Sequence, residues 1–230
     1  MSAASGLSRK LAAEFLGTFV FVLVGAGSAL GTPSGADPSA SLVVAALANG
    51  LGLGVAVSAT MGISGGVLNP AVAVGLFVGK KLRAKETALY IVAEMVGAAA
   101  AGLALFASFP SSIGKAAGWG APALSAALTD WQGIAIEALL TFVLVFVVYG
   151  TAVDAKGPRI GGLAIGLAVV ADVMVAGDLT GAAMNPARAL GPMLFVSPFP
   201  AYWFIYIVGP VIGGIAAGLA YHHLVEGREN

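Results

Sequence analysis

The sequence predicts an all-α membrane protein with six transmembrane helices plus two re-entrant half-helices in an inverted repeat. Three observations predict it. Of the 230 residues, 59% are hydrophobic and only 10% charged, against about 25% charge in a soluble domain. Six segments stay apolar over the roughly 20 residues that a helix needs to cross a bilayer. Two Asn-Pro-Ala triplets, Asn69-Pro70-Ala71 and Asn185-Pro186-Ala187, recur 116 residues apart.

The first span is predicted over 11–30. Arg9 and Lys10 precede it in the manner of a secretory signal, but Glu14 near its start and a later echo of the same segment mark it as a working helix. The second span covers 42–61, and a stretch at 70–78 then follows that is too short to cross. The third and fourth spans cover 87–109 and 131–149, and the fifth covers 160–176. A second short stretch at 186–196 precedes the last span, 201–224. Short hydrophobic segments of this kind read as half-helices.

The chain repeats itself. Gly65 to Ala71 match Gly181 to Ala187 at an offset of 116, and Ser64 matches Thr180 at the same offset. Glu14 with Thr18-Phe19 echoes Glu137 with Thr141-Phe142 at an offset of 123. The reading is one channel domain over 1–230 with repeats at about 9–110 and 129–225, joined by the Gly-, Ala- and Ser-rich loop 111–129. Each half holds three spans and one half-helix. Three is odd, so the halves face opposite ways and their functional site is expected at the midplane. Small-residue pairs, among them Gly50 with Gly54 and Gly162 with Gly166, mark close helix seams.

Charge sets the topology and excludes other classes. Arg9, Lys10, Lys80, Lys81, Arg83, Lys85, Lys156, Arg159 and Arg228 fall on one side, against Lys115 on the other. The positive-inside rule puts both termini in the cytoplasm of a multi-pass protein of the cell's inner (plasma) membrane. Net charge is zero, so no basic excess serves nucleic acid. Without cysteine there is no disulfide or thiol chemistry, and two histidines, His222 and His223, are too few for a histidine metal site. No clustered nucleophile and base and no phosphate loop is present, so no enzyme and no cofactor is expected.

The triplets carry the chemistry. Composition alone predicts about 0.04 Asn-Pro-Ala triplets in the chain, so two in register with a repeat are a signal. Asparagine caps a helix through its side-chain oxygen, and proline fits the first helical position. Half-helices therefore start at Pro70 and Pro186, and inversion brings their N-termini together mid-membrane, each with about half a positive charge. Capping pins each asparagine oxygen and is expected to leave the NH₂ free to donate into a pore. A water there is held in a fixed orientation, while a cation or proton meets two positive helix ends.

The segments Ala13 to Phe19, Ile63 to Val72 and Gly181 to Pro192 together resemble the aquaporin, or major intrinsic protein, family in its prokaryotic type. The resemblance covers nearly the whole chain. It implies a homotetramer with one pore per subunit and passive, bidirectional flow of water and small neutral solutes through the lipid bilayer. It also implies an extracellular-side constriction, the selectivity filter, which counting from the triplets assigns to Asn49, Val173, Ala182 and Arg188. Strict water channels of the family usually carry a large aromatic in the second span and a histidine in the fifth. Val173 with Ala182 resembles instead the plant nodulin-like intrinsic proteins, while Asn49 departs from their usual aromatic. In the last span Tyr206-Ile207 stands where water channels have Phe-Trp.

The resemblance implies that Glu14 and Glu137 brace the loops before the triplets, as structural buried carboxylates. Glu94 in the third span stands where the family more often has glutamine, and Asp172 precedes Val173. Neither has an obvious basic partner. Two roles stay open for them: a neutral bridge between helices, or a proton site in an ion-coupled secondary transporter. The sequence therefore predicts a passive channel for water and small uncharged solutes, glycerol-like polyols and metalloid hydroxides among them, that excludes protons and ions. A strict water channel is the alternative.

Overall fold

The computed structural model describes residues 3–226. Among them six helices are long and apolar enough to cross a membrane. In chain order the helices are α1 (Ala3–Gly31), α2 (Pro38–Ser64), α3 (Pro70–Val78), α4 (Ala84–Ser108), α5 (Ser111–Ala116), α6 (Asp130–Val148), α7 (Gly161–Thr180), α8 (Pro186–Met193) and α9 (Ile205–Glu226). α3 and α8 are the two predicted half-helices. Arg228, one of the basic residues counted for orientation, lies outside the described residues.

Local chemistry sets the ends. Asp37 caps α2, accepting from the N–H of Ala40, and Pro38 occupies the first turn. Thr129 and Gln132 form a reciprocal capping box on α6. α2 and α7 both stop at a left-handed glycine, Gly65 (φ 99°) and Gly181 (φ 80°), positions related by the repeat. A side chain at either would meet the left-handed penalty. α7 runs four residues past its predicted end at Ala176, whose φ of −137° bends the helix there instead of ending it. The joining loop contains α5 and a tight turn at Gly118–Gly120.

Packing follows the two-fold relation. α2 lies against α7, α6 against α9, and α1 against both α2 and α4. Each half-helix crosses to the other half: α3 packs on α9, and α8 packs on α4. The α2–α7 seam uses the predicted glycines. A Cβ on Gly54 would stand 2.9 Å from the Gly162 carbonyl oxygen, and one on Gly166 2.6 Å from that of Gly50. Outside, the helices present Leu16, Val55, Leu103, Leu139, Leu163 and Val175 among other exposed apolar side chains, as suits a protein solvated by lipid.

Candidate functional site

The two short loops that precede α3 and α8 are near-copies in conformation. Gly65, Gly66 and Leu68 have positive φ (99°, 61° and 50°), as do Gly181, Ala182 and Met184 (80°, 44° and 52°). For non-glycine residues this costs about 1–2 kcal/mol each, so something must hold the loops. Glu14 accepts from the N–H groups of Val67 (3.1 Å) and Leu68 (2.7 Å). Glu137 accepts from Ala183 (3.0 Å) and Met184 (2.7 Å), and also from the Thr180 hydroxyl (2.7 Å). Both carboxylates are fully buried. Each loop is thereby extended, with its N–H groups turned onto a glutamate.

A second pair of braces was not recognised in the sequence. Tyr90 donates to the Ser64 carbonyl (2.8 Å), and Tyr206 donates to the Thr180 carbonyl (2.7 Å). These carbonyls close α2 and α7 and would otherwise be orphaned. Tyr90 and Tyr206 stand 116 residues apart, so the repeat offset itself was the signal that would have found them. Tyr206 is fully buried.

The asparagines cap their helices as expected. Asn69 Oδ1 accepts from Ala71 (2.9 Å), and Asn185 Oδ1 accepts from Ala187 (2.9 Å) and Arg188 (3.2 Å). Their amide groups are not wholly free, however. Asn69 Nδ2 donates to the Met184 carbonyl and Asn185 Nδ2 to the Leu68 carbonyl, both at 2.9 Å. Each NH₂ has two hydrogens, so one locks the facing loop and one remains to donate. Pro70, Pro186, Ala71 and Ala187 are buried beneath these caps.

Two cavities open at opposite ends of the bundle. One, of about 330 Å³, is lined by Asn69, Leu53, Val57, Leu144 and Ile165, with Lys81 at its edge. The other, of about 460 Å³, is lined by Asn49, Val173, Gly177, Gly181 and Arg188, with Ser28, Thr32, Ser41 and Ser125 further out. Three of the four residues assigned to the constriction thus meet on one cavity. The fourth, Ala182, is buried, and the adjacent Gly181 forms the wall instead.

Arg188 does not reach toward the membrane surface. It is 8% exposed, and both its hydrogen-bond acceptors are neutral: Asn49 Oδ1 at 2.9 Å from Nε, and the Gly120 carbonyl at 2.9 Å from Nη1. Asn49 Nδ2 donates to Ala45 (2.9 Å) and toward Gly25 (3.5 Å). The Asn49 amide is therefore committed to the protein's own groups. The same contacts draw the pair onto the α1 wall, where a Cβ on Gly25 would collide with Asn49 Oδ1 and come within 3.4 Å of Arg188 Nε. Of the five guanidinium N–H groups, three stay unclaimed. Val173 adds an apolar side chain to the lining of the same cavity.

A sequence model of the family described as Major intrinsic protein matches residues 1–221. Among curated proteins, the chain is 40% identical over 229 residues to "Aquaporin TIP4-4" of Zea mays, covering 96% of this chain and 88% of that one. It is 42% identical over 217 residues to "Aquaporin TIP2-2" of the same plant, covering 91% and 84%, and 40% identical over 233 residues to "Probable aquaporin TIP3-2" of Arabidopsis thaliana, covering 94% and 84%. The fold is similar to the X-ray structure of the aquaglyceroporin from Plasmodium falciparum, with a TM-score of 0.83 at 23% identity over 95% of this chain and 97% of that one.

Proposed function

The chain belongs to the major intrinsic protein family, and from that membership, which makes it an integral multi-pass channel for water and small solutes and not an enzyme, we propose a solute range wider than water alone. The observation that carries this is the unequal lining of the Arg188 cavity. Arg188, with three guanidinium N–H groups left unbonded, and the apolar Val173 both line it. A glycerol-sized polyol or an undissociated metalloid hydroxide has the matching character, with hydroxyls along one edge and, in the polyol, carbon along the other. Selectivity of this kind rests on width and lining donors.

In this reading Asn69 and Asn185, with Pro70, Ala71, Pro186 and Ala187, form the midplane station where water is oriented. Asn49, Val173, Ala182 and Arg188 form the filter, with Asn49 acting through Arg188. Protons and cations fail because they meet a guanidinium whose hydrogen-bond acceptors are both neutral, and two helix N-termini. Glu14 and Glu137 are structural. The repeats are 9–110 and 129–225 of one domain, the termini are cytoplasmic, and the protein resides in the plasma membrane as a homotetramer.

The deciding experiment is stopped-flow light scattering on liposomes holding purified protein, with water, glycerol and a metalloid hydroxide in turn. Flux of all three above protein-free liposomes is expected. Water flux alone replaces this reading with a strict water channel, and uptake that follows a proton gradient replaces it with an ion-coupled carrier.

A further inference from the structure

Glu94 is a buried acid for which the channel reading has no use. It lies midway along α4, fully excluded from solvent. Neither of its carboxyl oxygens accepts a hydrogen bond from any donor among the described residues. The groups beside it are the carboxyl of Glu14 and the backbone N–H of Asn69. Glu14 already holds Val67 and Leu68 with its two oxygens.

The surroundings offer Glu94 no cation. α1 brings Glu14 and, a turn further out, Lys10, whose ammonium is bonded to Glu86 at 3.2 Å. α4 itself brings Tyr90, whose hydroxyl is spent on Ser64. α3 has no titratable side chain. α8 brings Arg188 alone, turned to Asn49 and Gly120, and the turn at Gly118–Gly120 brings none. A desolvated carboxylate with no partner is avoided in native interiors. Two carboxyls side by side do not both ionise, but they attract when one keeps its hydrogen and donates it to the other.

We propose that Glu94 is a positioning residue: its carboxyl keeps a proton and donates it to Glu14, which orients Glu14 onto the N–H groups of Val67 and Leu68. The shared proton then acts at a distance. The Leu68 carbonyl is the acceptor for Asn185, so a shift of Glu14 disturbs the asparagines of both halves. Removing the proton sets a second negative charge against the first and loosens the loop. Water flow therefore falls on the alkaline side. No proton crosses the membrane in this arrangement; the proton is held, not relayed.

Glu94→Gln tests this, because glutamine keeps an N–H donor toward Glu14 and has no acidic proton to lose. Infrared spectra of the purified protein at neutral pH are expected to show a protonated-carboxyl C=O band, sensitive to deuterium exchange, that is missing in Glu94→Gln. Wild-type water flow is expected to fall as pH rises, while flow through Glu94→Gln stays level. Glu94→Leu, with no donor, is expected to lose flow and heat stability at every pH, and both are kept by glutamine. The proposal is overturned if no carboxyl band is lost in Glu94→Gln, if the wild type stays level across the alkaline range, or if Glu94→Gln declines in parallel with it. The infrared arm does not rest on the channel reading: a lost band in a protein that passes no solute sinks the channel and leaves the shared proton standing.

Discussion

Arg188 Nε lies 2.9 Å from Asn49 Oδ1, a bond between residues 139 positions apart that joins the second half-helix to the second span. It fixes the guanidinium against α1, in a cavity that Val173 also lines. Asn49→Ala takes away that acceptor and leaves a buried charged N–H unpaired. A loss of about 1–3 kcal/mol in stability is expected, together with a rise in proton leak. Thermal unfolding in detergent and a pH-sensitive dye in liposomes check the two; unchanged leak means that Gly120 alone fixes the arginine.

Val173→His adds bulk and a polar ring where the wall is now apolar. Glycerol flux is expected to fall more than water flux in stopped-flow traces from the same preparation. An equal fall in both would place the narrowest point elsewhere along the pore.

Asn185→Leu removes the cap of α8 and also the N–H that holds the Leu68 carbonyl. Cap loss costs about 1 kcal/mol, so the protein should still assemble. Water permeability per protein is expected to drop several-fold, and an undiminished value at equal density in the membrane contradicts the midplane role.

Tyr206→Phe and Tyr90→Phe each leave a helix-end carbonyl without its donor. A decrease of about 1 kcal/mol in stability is expected for each, with water permeability near the wild-type level. A change in glycerol-to-water ratio for Tyr206→Phe would instead return this side chain to the pore wall.

Asp154, which caps the wide turn Tyr149–Val153 that follows α6, accepts from the Lys156 N–H and from the Tyr221 hydroxyl, both at 2.8 Å. These two donors, the backbone N–H foremost, hold its carboxyl below the usual aspartate range. A group with a lowered folded value contributes stability above its unfolded value and loses it as pH falls through the folded one. Hydrogen exchange over 150–160 should therefore stay protected at neutral pH and open on acidification, earlier in Tyr221→Phe. Protection indifferent to acid removes Asp154 from the loop's stability.

The half-helices were legible in the sequence because Asn-Pro-Ala states its own geometry: a cap, a fixed φ and a small residue. The glutamate braces were legible because the family resemblance implies that role for Glu14 and Glu137, which the repeat pairs at an offset of 123. Gly120 was not. Its role depends on a backbone carbonyl delivered by a turn, and carbonyls leave no trace in residue identity. What the sequence does hold is its permission: Gly120 adopts φ 74°, and a Cβ there would strike the Ala26 carbonyl. The commitment of the Asn49 amide was hidden for a similar reason, since its partners Ala45 and Gly25 are backbone groups.

The crossed bonds from Asn69 to Met184 and from Asn185 to Leu68 bear on how such a chain arises. Each half caps its helix with its own asparagine oxygen, but the asparagine N–H finds its acceptor in the other half. A half-length precursor carrying one triplet would close this site only by pairing with a copy of itself inserted upside down. Such a precursor has to enter the membrane in both directions, and the joining loop later makes that pairing permanent and frees the halves to diverge. Arg188 has Val72 as its counterpart in the first half, so a pair of identical halves would carry either two such arginines or none, and a single one requires the halves to differ.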